Sequence, residues 1–379
     1  MKKEKTVAVR KPLEQKKVPS VLVSISAVVL GVLAGSLLII IIGKNPITAF
    51  ERLLFGAFSN KRRVGNTLGM STQLILMGLS FSFAYKTGLF NIGGSGQMLM
   101  GGIVCTILGH YLPSSMPKPV YIVIVVLAAL AAGALWGLIG GFLKAKFNVH
   151  EVVSSIMLNW IAFWLVYDFI PRFVKDQAIA VKSQPLDFSR TLGTQWLRKV
   201  TGMSTLNLGF LFAIIACVVI YLILEKTTLG FNLKAVGSNK HCAEYAGIKI
   251  EKSIMISMAI AGALAGLAGL TYYCGYSNLM EMGKMPNEGF DGIAVGLLGN
   301  CSPIGVFFAA IFFGALKMGK GSLAATGIPT ELADTIIATI IYFTATSVII
   351  ASFWKNIFKK RYEKKKAALE TSEKGEETK

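Results

Sequence analysis

The chain has 379 residues, of which 53% are hydrophobic and 16% charged, against roughly 25% charged in an average soluble domain. That composition argues against a water-soluble globule. The net charge is nevertheless +19, from 39 Lys and Arg against 20 Asp and Glu, and residues 253–273 and 333–352 hold one charged residue between them, Asp334. A nucleic-acid binder interleaves its basic residues with its fold, so this crowding of charge excludes nucleic acid as a partner and indicates an all-α polytopic membrane protein in a lipid bilayer.

A helix needs roughly 20 apolar residues to cross a bilayer core. In chain order, such runs occupy about 21–42, 68–85, 94–112, 120–143, 152–170, 207–225, 253–273, 303–319 and 333–352. The first is too long for the core of a signal peptide and lacks a small-residue cleavage site after it, so it reads as an uncleaved span. A shorter stretch, GFDGIAVGLLG at 289–299, is apolar but broken by glycine and reads as a partial or re-entrant helix.

Orientation follows from basic residues near span ends. Segment 1–17 carries seven Lys and Arg and segment 355–379 carries nine, which predicts that both termini face the cytoplasm. The number of crossings is then even, so the short stretch is counted and about ten spans are expected. The domain organisation is a basic cytoplasmic segment at 1–17, a transmembrane domain at 18–354, and a basic, disordered cytoplasmic tail at 355–379. Under this topology the 226–252 loop, with five lysines, is cytoplasmic, and the 171–206 loop, with six basic residues, is external.

Gly31 with Gly35, Gly133 with Gly137, and Gly262 with Gly266 each form a G-x-x-x-G step, and Gly140 and Gly269 continue two of the rows. Such faces let membrane helices touch closely. The cysteines at 105, 217, 242, 274 and 301 show no C-x-x-C spacing and read as small buried hydrophobes.

No enzymatic or metal-binding constellation is found. His150-Glu151 opens like a zinc helix, but Ser154 stands where the second histidine is needed. Gly314 and Gly319-Lys320 resemble the start of a phosphate loop, yet Gly321 replaces the metal-binding Ser or Thr. The Gly94-Ser95-Gly96 turn has Leu99 in place of the third glycine of a dinucleotide motif, and the histidines at 110, 150 and 241 are far apart. Among acidic residues near spans, Asp168 sits beside Pro171 at a span end, and only Asp291 lies inside a broken stretch. With so few intramembrane charges available to couple an ion, energy is expected from another subunit.

That turns attention to residues 227–248, TTLGFNLKAVGSNKHCAEYAGI. Ser238 or Asn239 can cap a short helix in which Cys242, Tyr245 and Ala246 share a face, and Gly247 can end it in a left-handed turn. An apolar face on a short loop helix needs a partner's groove or a lipid surface.

The segment is similar to the cytoplasmic coupling loop of bacterial ABC importer permeases of the branched-chain amino-acid, ribose and nucleoside group. The pattern is T-x-x-G-x-x-[LIM]-[RK]-A-[VT]-G-x-N-x-x-A-A-x-x-A-G-[IV], matched by Thr227, Gly230, Leu233, Lys234, Ala235, Val236, Gly237, Asn239, Ala243, Ala246, Gly247 and Ile248, with Cys242 for the first alanine of the pair. FNIGGSGQMLMGG from Phe90 resembles the N-[IV]-G-[AG]-E-G-Q signature of the nucleoside branch, with Ser95 in place of its glutamate, and GFDGIAVGLLGNCSPIG from Gly289 resembles that branch's second-half signature. The resemblance runs from about Asn45 to Ala351. It implies a type II importer fold, an ATPase-coupling segment formed by Lys234, Gly237, Asn239, Lys240, Ala243, Glu244, Tyr245, Ala246 and Gly247, and several partners. These are a cytoplasmic ABC ATPase, a second permease that is a paralogous chain, and an extracellular substrate-binding lipoprotein. No cofactor is expected on this chain, since ATP is used by the ATPase.

Glycines near Asn91 and near Asp291 interrupt two apolar stretches, and unwound backbone at membrane depth is tolerated where protein or a water-filled path covers it. Phe90-Asn91 and Phe290-Asp291 occupy comparable places in the two halves, as in an internally repeated transporter. Asn91, Ser95, Gln97, Asp291 and Asn300 are therefore the expected substrate-pathway residues, because a neutral ribose and base need hydrogen-bonding groups. Each of them also suits a cap or a packing role at a helix break. The expected function is a permease passing a nucleoside into the cytoplasm across a bacterial plasma membrane. The rivals are a simple-sugar permease, an ion-coupled secondary transporter using Asp291, and a membrane enzyme acting on a lipid-linked substrate.

Overall fold

A computed structural model describes residues 19–360, apart from 114, 177–178, 180, 325–326 and 347–348, together with residue 363. The basic segment at 1–17 and nearly all of 361–379 lie outside the described residues.

The described chain is almost entirely helical. Its first half contains α1 (Ser20–Ile41), α2 (Pro46–Gly56), α3 (Lys61–Lys86), α4 (Gly94–Tyr111), α5 (Lys118–Phe147) and α6 (Glu151–Phe173). The second half contains α7 (Gln195–Val200), α8 (Gly209–Lys226), α9 (Thr228–Ser238), α10 (Lys240–Tyr245), α11 (Ile250–Thr271), α12 (Glu288–Leu298), α13 (Pro303–Ala324) and α14 (Thr330–Ala345). One turn of π-helix, Tyr272–Tyr276, extends α11. Seven of these segments, beginning at Leu22, Lys61, Lys118, Glu151, Gly209, Ile250 and Pro303, are long and apolar enough to cross a bilayer.

The run at 94–112 is α4, mostly buried against other helices. Two expectations are adjusted. In the run at 333–352 the described residues form α14 as far as Ala345 and helix again over 349–360, which carries helix past residue 355, the expected start of the disordered tail. The chain also forms α2, too short to be read as a span, whose start is set by the Asn45 side chain accepting from the Ile47 N–H, with Pro46 at the first helical position.

α3 forms the axis, with residues 71–84 buried on every side. A helix that is enclosed all round belongs to the core, and α8, α11, α12 and α13 surround it. α1, α5, α6 and α8 instead leave large apolar side chains outward, among them Leu37, Leu127, Trp164 and Val218. In a membrane those faces meet acyl chains.

The most extensive helix contact joins α5 and α11. Gly133 and Gly137 face Gly262 and Gly266 there, backbone against backbone. Gly31 and Gly35 lie against Ile340 and Ile336 of α14, and Gly269 against the backbone of Met98. Gly140 departs from its row, since its nearest neighbours are side-chain ends at 3.5 and 3.6 Å. Among the cysteines, 105, 274 and 301 are buried and 217 is partly buried, whereas Cys242 is exposed on α10, contrary to the expectation for all five.

Candidate functional site

The first break lies between α3 and α4. Asn91 and Gln97 bond one another twice: Asn91 Nδ2 donates to Gln97 Oε1 at 3.1 Å, and Gln97 Nε2 donates to Asn91 Oδ1 at 3.2 Å. Asn91 Oδ1 also accepts from the Gly93 N–H at 3.0 Å. Asn159 on α6 completes the fastening, accepting from the Gly96 N–H at 2.8 Å and donating to the Ile92 carbonyl at 3.0 Å. These side chains are buried, so the polar backbone of the break finds its partners in protein, as a non-helical segment at membrane depth must. Asn159 had no local signal in the sequence, because it acts across more than sixty residues of chain.

The second break meets the first. Ser95 Oγ donates to the Pro286 carbonyl at 2.8 Å, and Gly289 packs so closely on Ser95 that a Cβ there would fall 2.6 Å from the Ser95 nitrogen. α12 lies along α3, with Gly292 against Met77 and Gly296 against Phe81 and Ser82. The broken stretches of the two halves thus form one junction. Ser95, which stands where the resembling family carries glutamate, spends its hydroxyl on this crossing.

Asp291 lies in the first turn of α12 with Glu288. Lys317 of α13 hydrogen-bonds Asp291 Oδ2, and its Nζ lies 4.0 Å from Glu288 Oε1. Carboxylates in a first helical turn are also favoured by the helix dipole. Beside this cluster lies a polar cavity of about 220 Å³ lined by Tyr272, Tyr273, Asn287, Glu288 and Lys317, with Glu281 and Lys284 further along its wall. Lys317, Glu288 and Tyr272 were not singled out by sequence reasoning, although a lysine in an otherwise apolar run was available as a signal.

Asn300 does not join this group. It is exposed at the other end of α12, in a left-handed conformation with φ 53°, and borders an apolar groove of about 620 Å³ between α1, α12 and α13.

At the end where α3 finishes, residues 227–247 form two helices, α9 and α10, in place of the single short helix expected at 238–247. The Asn239 side chain accepts from the Cys242 N–H at 3.1 Å, which starts a new helix. Asn239 itself has extended backbone, so it ends α9 as it caps α10. Gly247 has φ +78° and ends α10 as expected. Gly237 rests on the turn after α3, where a Cβ would come 3.0 Å from the Gly88 nitrogen. Lys234 is paired with Glu225 at 3.1 Å, and Ala243 is only 3% exposed. Every residue of α10 but Ala243 is therefore exposed, Lys240, His241, Cys242, Glu244 and Tyr245, together with Ala246 just after it; Tyr245 is 97% exposed.

An all-helical bundle that buries two broken segments against each other, and holds a short exposed helix at one end, has the form of a transport permease. Residues 63–345 match the family described as the permease component of branched-chain amino acid transport systems, and the chain belongs to it. It is 39% identical to the nucleoside ABC transporter permease NupB of Lactococcus lactis, over 88% of this chain and 93% of that protein. It is likewise 39% identical to the guanosine ABC transporter permease NupP of Bacillus subtilis, over 88% of this chain and 96% of that one. A further guanosine ABC transporter permease of B. subtilis, NupQ, is 29% identical over 65% of this chain and 78% of its own length. No solved structure matches.

Proposed function

We propose that this chain is a membrane-spanning permease subunit of an ATP-driven nucleoside importer in a bacterial plasma membrane. The observation that carries the reading is the exposed face of α10 joined through α9 to the first break. The nucleoside assignment is supported by NupB, a nucleoside permease, and NupP, a guanosine permease, both similar over most of their length. NupP and NupQ, two similar chains in one organism, support a second, paralogous permease as partner. A cytoplasmic ABC ATPase and an external binding lipoprotein complete the assembly, with ATP consumed by the ATPase and no cofactor on this chain. Both termini face the cytoplasm, and the fold is of the type II importer kind with about ten membrane helices, α12 being a partial one.

The coupling runs through named contacts. ATP-driven closure of the ATPase presses on Lys240, Glu244, Tyr245 and Ala246. α9 transmits the displacement where Gly237 meets Lys86 and Gly88, at the entry to the break. Thr87 Oγ1, 2.8 Å from Ser257 Oγ, links the same turn to α11. The strain then reaches the Ser95 to Pro286 crossing, whose parting opens the path to one side. Asn91, Gln97 and Asn159 hold the start of α4 as one body while it moves, and Asp291 keeps Lys317 neutralised. A bundle with two packings of similar energy is biased by whichever contacts its partner makes in each.

The test is uptake of labelled nucleosides and of glucose by the assembled transporter in vesicles. ATP-dependent nucleoside uptake that resists an ionophore is expected. Uptake that ignores ATP but collapses with the ionophore makes Asp291 the ion-coupling site of a secondary transporter, and uptake of glucose alone makes the chain a sugar permease.

A further inference from the structure

The cavity beside α12 holds an unspent acceptor. Glu288 is 7% exposed, yet its carboxylate makes no hydrogen bond among the described residues. Its nearest cation, Lys317 at 4.0 Å, is beyond hydrogen-bond reach and gives its bond to Asp291. A nearly buried carboxylate without donors is costly unless something supplies them. Both groups line a cavity whose wall also carries Tyr272 and Tyr273. The Tyr272 ring stacks on Tyr276 at 5.8 Å and meets Tyr273 edge-on at 4.9 Å, which fixes it in place.

The volume, about 220 Å³, is below the roughly 300 Å³ at which pockets for drug-sized ligands begin. It suits one aromatic ring system and not a whole nucleoside. The charges say which ring. A carboxylate offers two acceptors side by side, and an ammonium offers donors only. Guanine presents the complementary edge: N1–H and the exocyclic amino group are adjacent donors, with the O6 acceptor next to them. Adenine sets a ring acceptor beside its amino group and turns a lone pair toward the carboxylate. Hypoxanthine lacks the amino donor.

We propose that Glu288, Lys317 and Tyr272 form a base-recognition site for guanine nucleosides within the permease: Glu288 accepts from N1–H and the 2-amino group, Lys317 donates to O6, and the Tyr272 ring flanks the base. The site rests on the nucleoside reading above and adds a selectivity filter within the permease itself, separate from whatever the external binding protein selects.

The experiment compares uptake of guanosine, inosine, adenosine and cytidine by the complete transporter with the native chain and with Glu288→Gln. Each is expressed as the variant-to-native ratio, so that the binding protein's own preference cancels. The amide presents one donor and one acceptor, the arrangement that suits adenine. Guanosine uptake is expected to fall about tenfold or more, through KM, while adenosine is unchanged or gains. Equal ratios for all four bases would mean a packing role and overturn the site. With the native chain, 1-methylguanosine, which lacks the N1–H donor, is expected to be carried about tenfold less well than guanosine at equal occupancy of the binding protein. Equal transport of the two also overturns the site, and this arm stands even if Glu288→Gln fails to accumulate. Absence of uptake of any nucleoside by the native transporter defeats the nucleoside reading itself.

Discussion

Gly133→Ala tests the direct contact of the α5 and α11 backbones. The added Cβ would be driven into the Gly262 carbonyl oxygen and would stand 2.7 Å from Gly266 Cα and 2.8 Å from its nitrogen, where ordinary contact begins at 3.4 Å. All three obstacles are backbone atoms, so no rotamer change relieves them. The helices must separate by most of an ångström or more, and a gap of that size forfeits about a quarter to a half of each contact's attraction. Overpacking of this kind costs about 1–3 kcal/mol. The rigid surroundings place Gly133→Ala near the upper end, offset by about 1 kcal/mol of improved helix propensity. Gly140→Ala is the control, on the same helix but with nothing nearer than side-chain ends at 3.5 and 3.6 Å. It keeps the propensity gain without the clash. The two alanine variants are therefore expected to differ by about 3 kcal/mol, seen as a melting temperature several degrees lower for Gly133→Ala in detergent. Gly133→Ala melting with or above Gly140→Ala would refute the close approach.

Three further outcomes are expected. Asn159→Leu strands the Gly96 N–H and the Ile92 carbonyl. At about 1–3 kcal/mol for a buried unpaired group, it should lower the melting temperature by several degrees relative to the native chain; Asn159→Leu melting with the native chain counts against the fastening. On α10, Ala246→Arg should abolish ATP-driven uptake with normal amounts of protein in the membrane. Ala243→Arg, at a position 3% exposed, should instead reduce the folded protein recovered. If Ala246→Arg transports normally, α10 is not the driven surface. Finally, the Lys182 ammonium, 2.8 Å from Glu281, holds its carboxyl below the ordinary value of 4.5, with Lys284 adding to the effect. A depressed folded-state pKa contributes stability that is complete above the unfolded value and is lost as pH falls through the folded one. The stability difference between the native chain and Glu281→Gln should therefore shrink on acidification below about pH 4.5, and a difference constant across that range refutes the pairing.

How much was legible depended on the reach of each interaction. The two ends of α10 could be read directly, because Asn239 and Gly247 act on backbone within three or four residues of themselves. The start of α2 carried an equally local signal in Asn45-Pro46, but a search for spans passes over an eleven-residue helix. The glycine rows were visible as a repeat, yet nothing local distinguished Gly133, which meets backbone, from Gly140, which meets only side-chain ends. Asn91 and Gln97, expected as pathway residues or as caps at a helix break, are bonded to each other, a partnership that the fold of the break sets and that no local pattern announces.

By itself the sequence determined that this protein is a helical bundle for a bilayer, where its breaks fall, and which loop carries the short capped helix, since hydropathy, glycine and capping act along the chain. Only the tertiary structure decided that the two breaks cross at Ser95 and Pro286, that Asn159 fastens one of them, and that Lys317 hydrogen-bonds Asp291 while Glu288 finds no hydrogen-bond donor among the described residues. Those partners come from separate parts of the chain, and in a low-dielectric interior the pairing of each polar group is set by which neighbour the packing brings within hydrogen-bond reach.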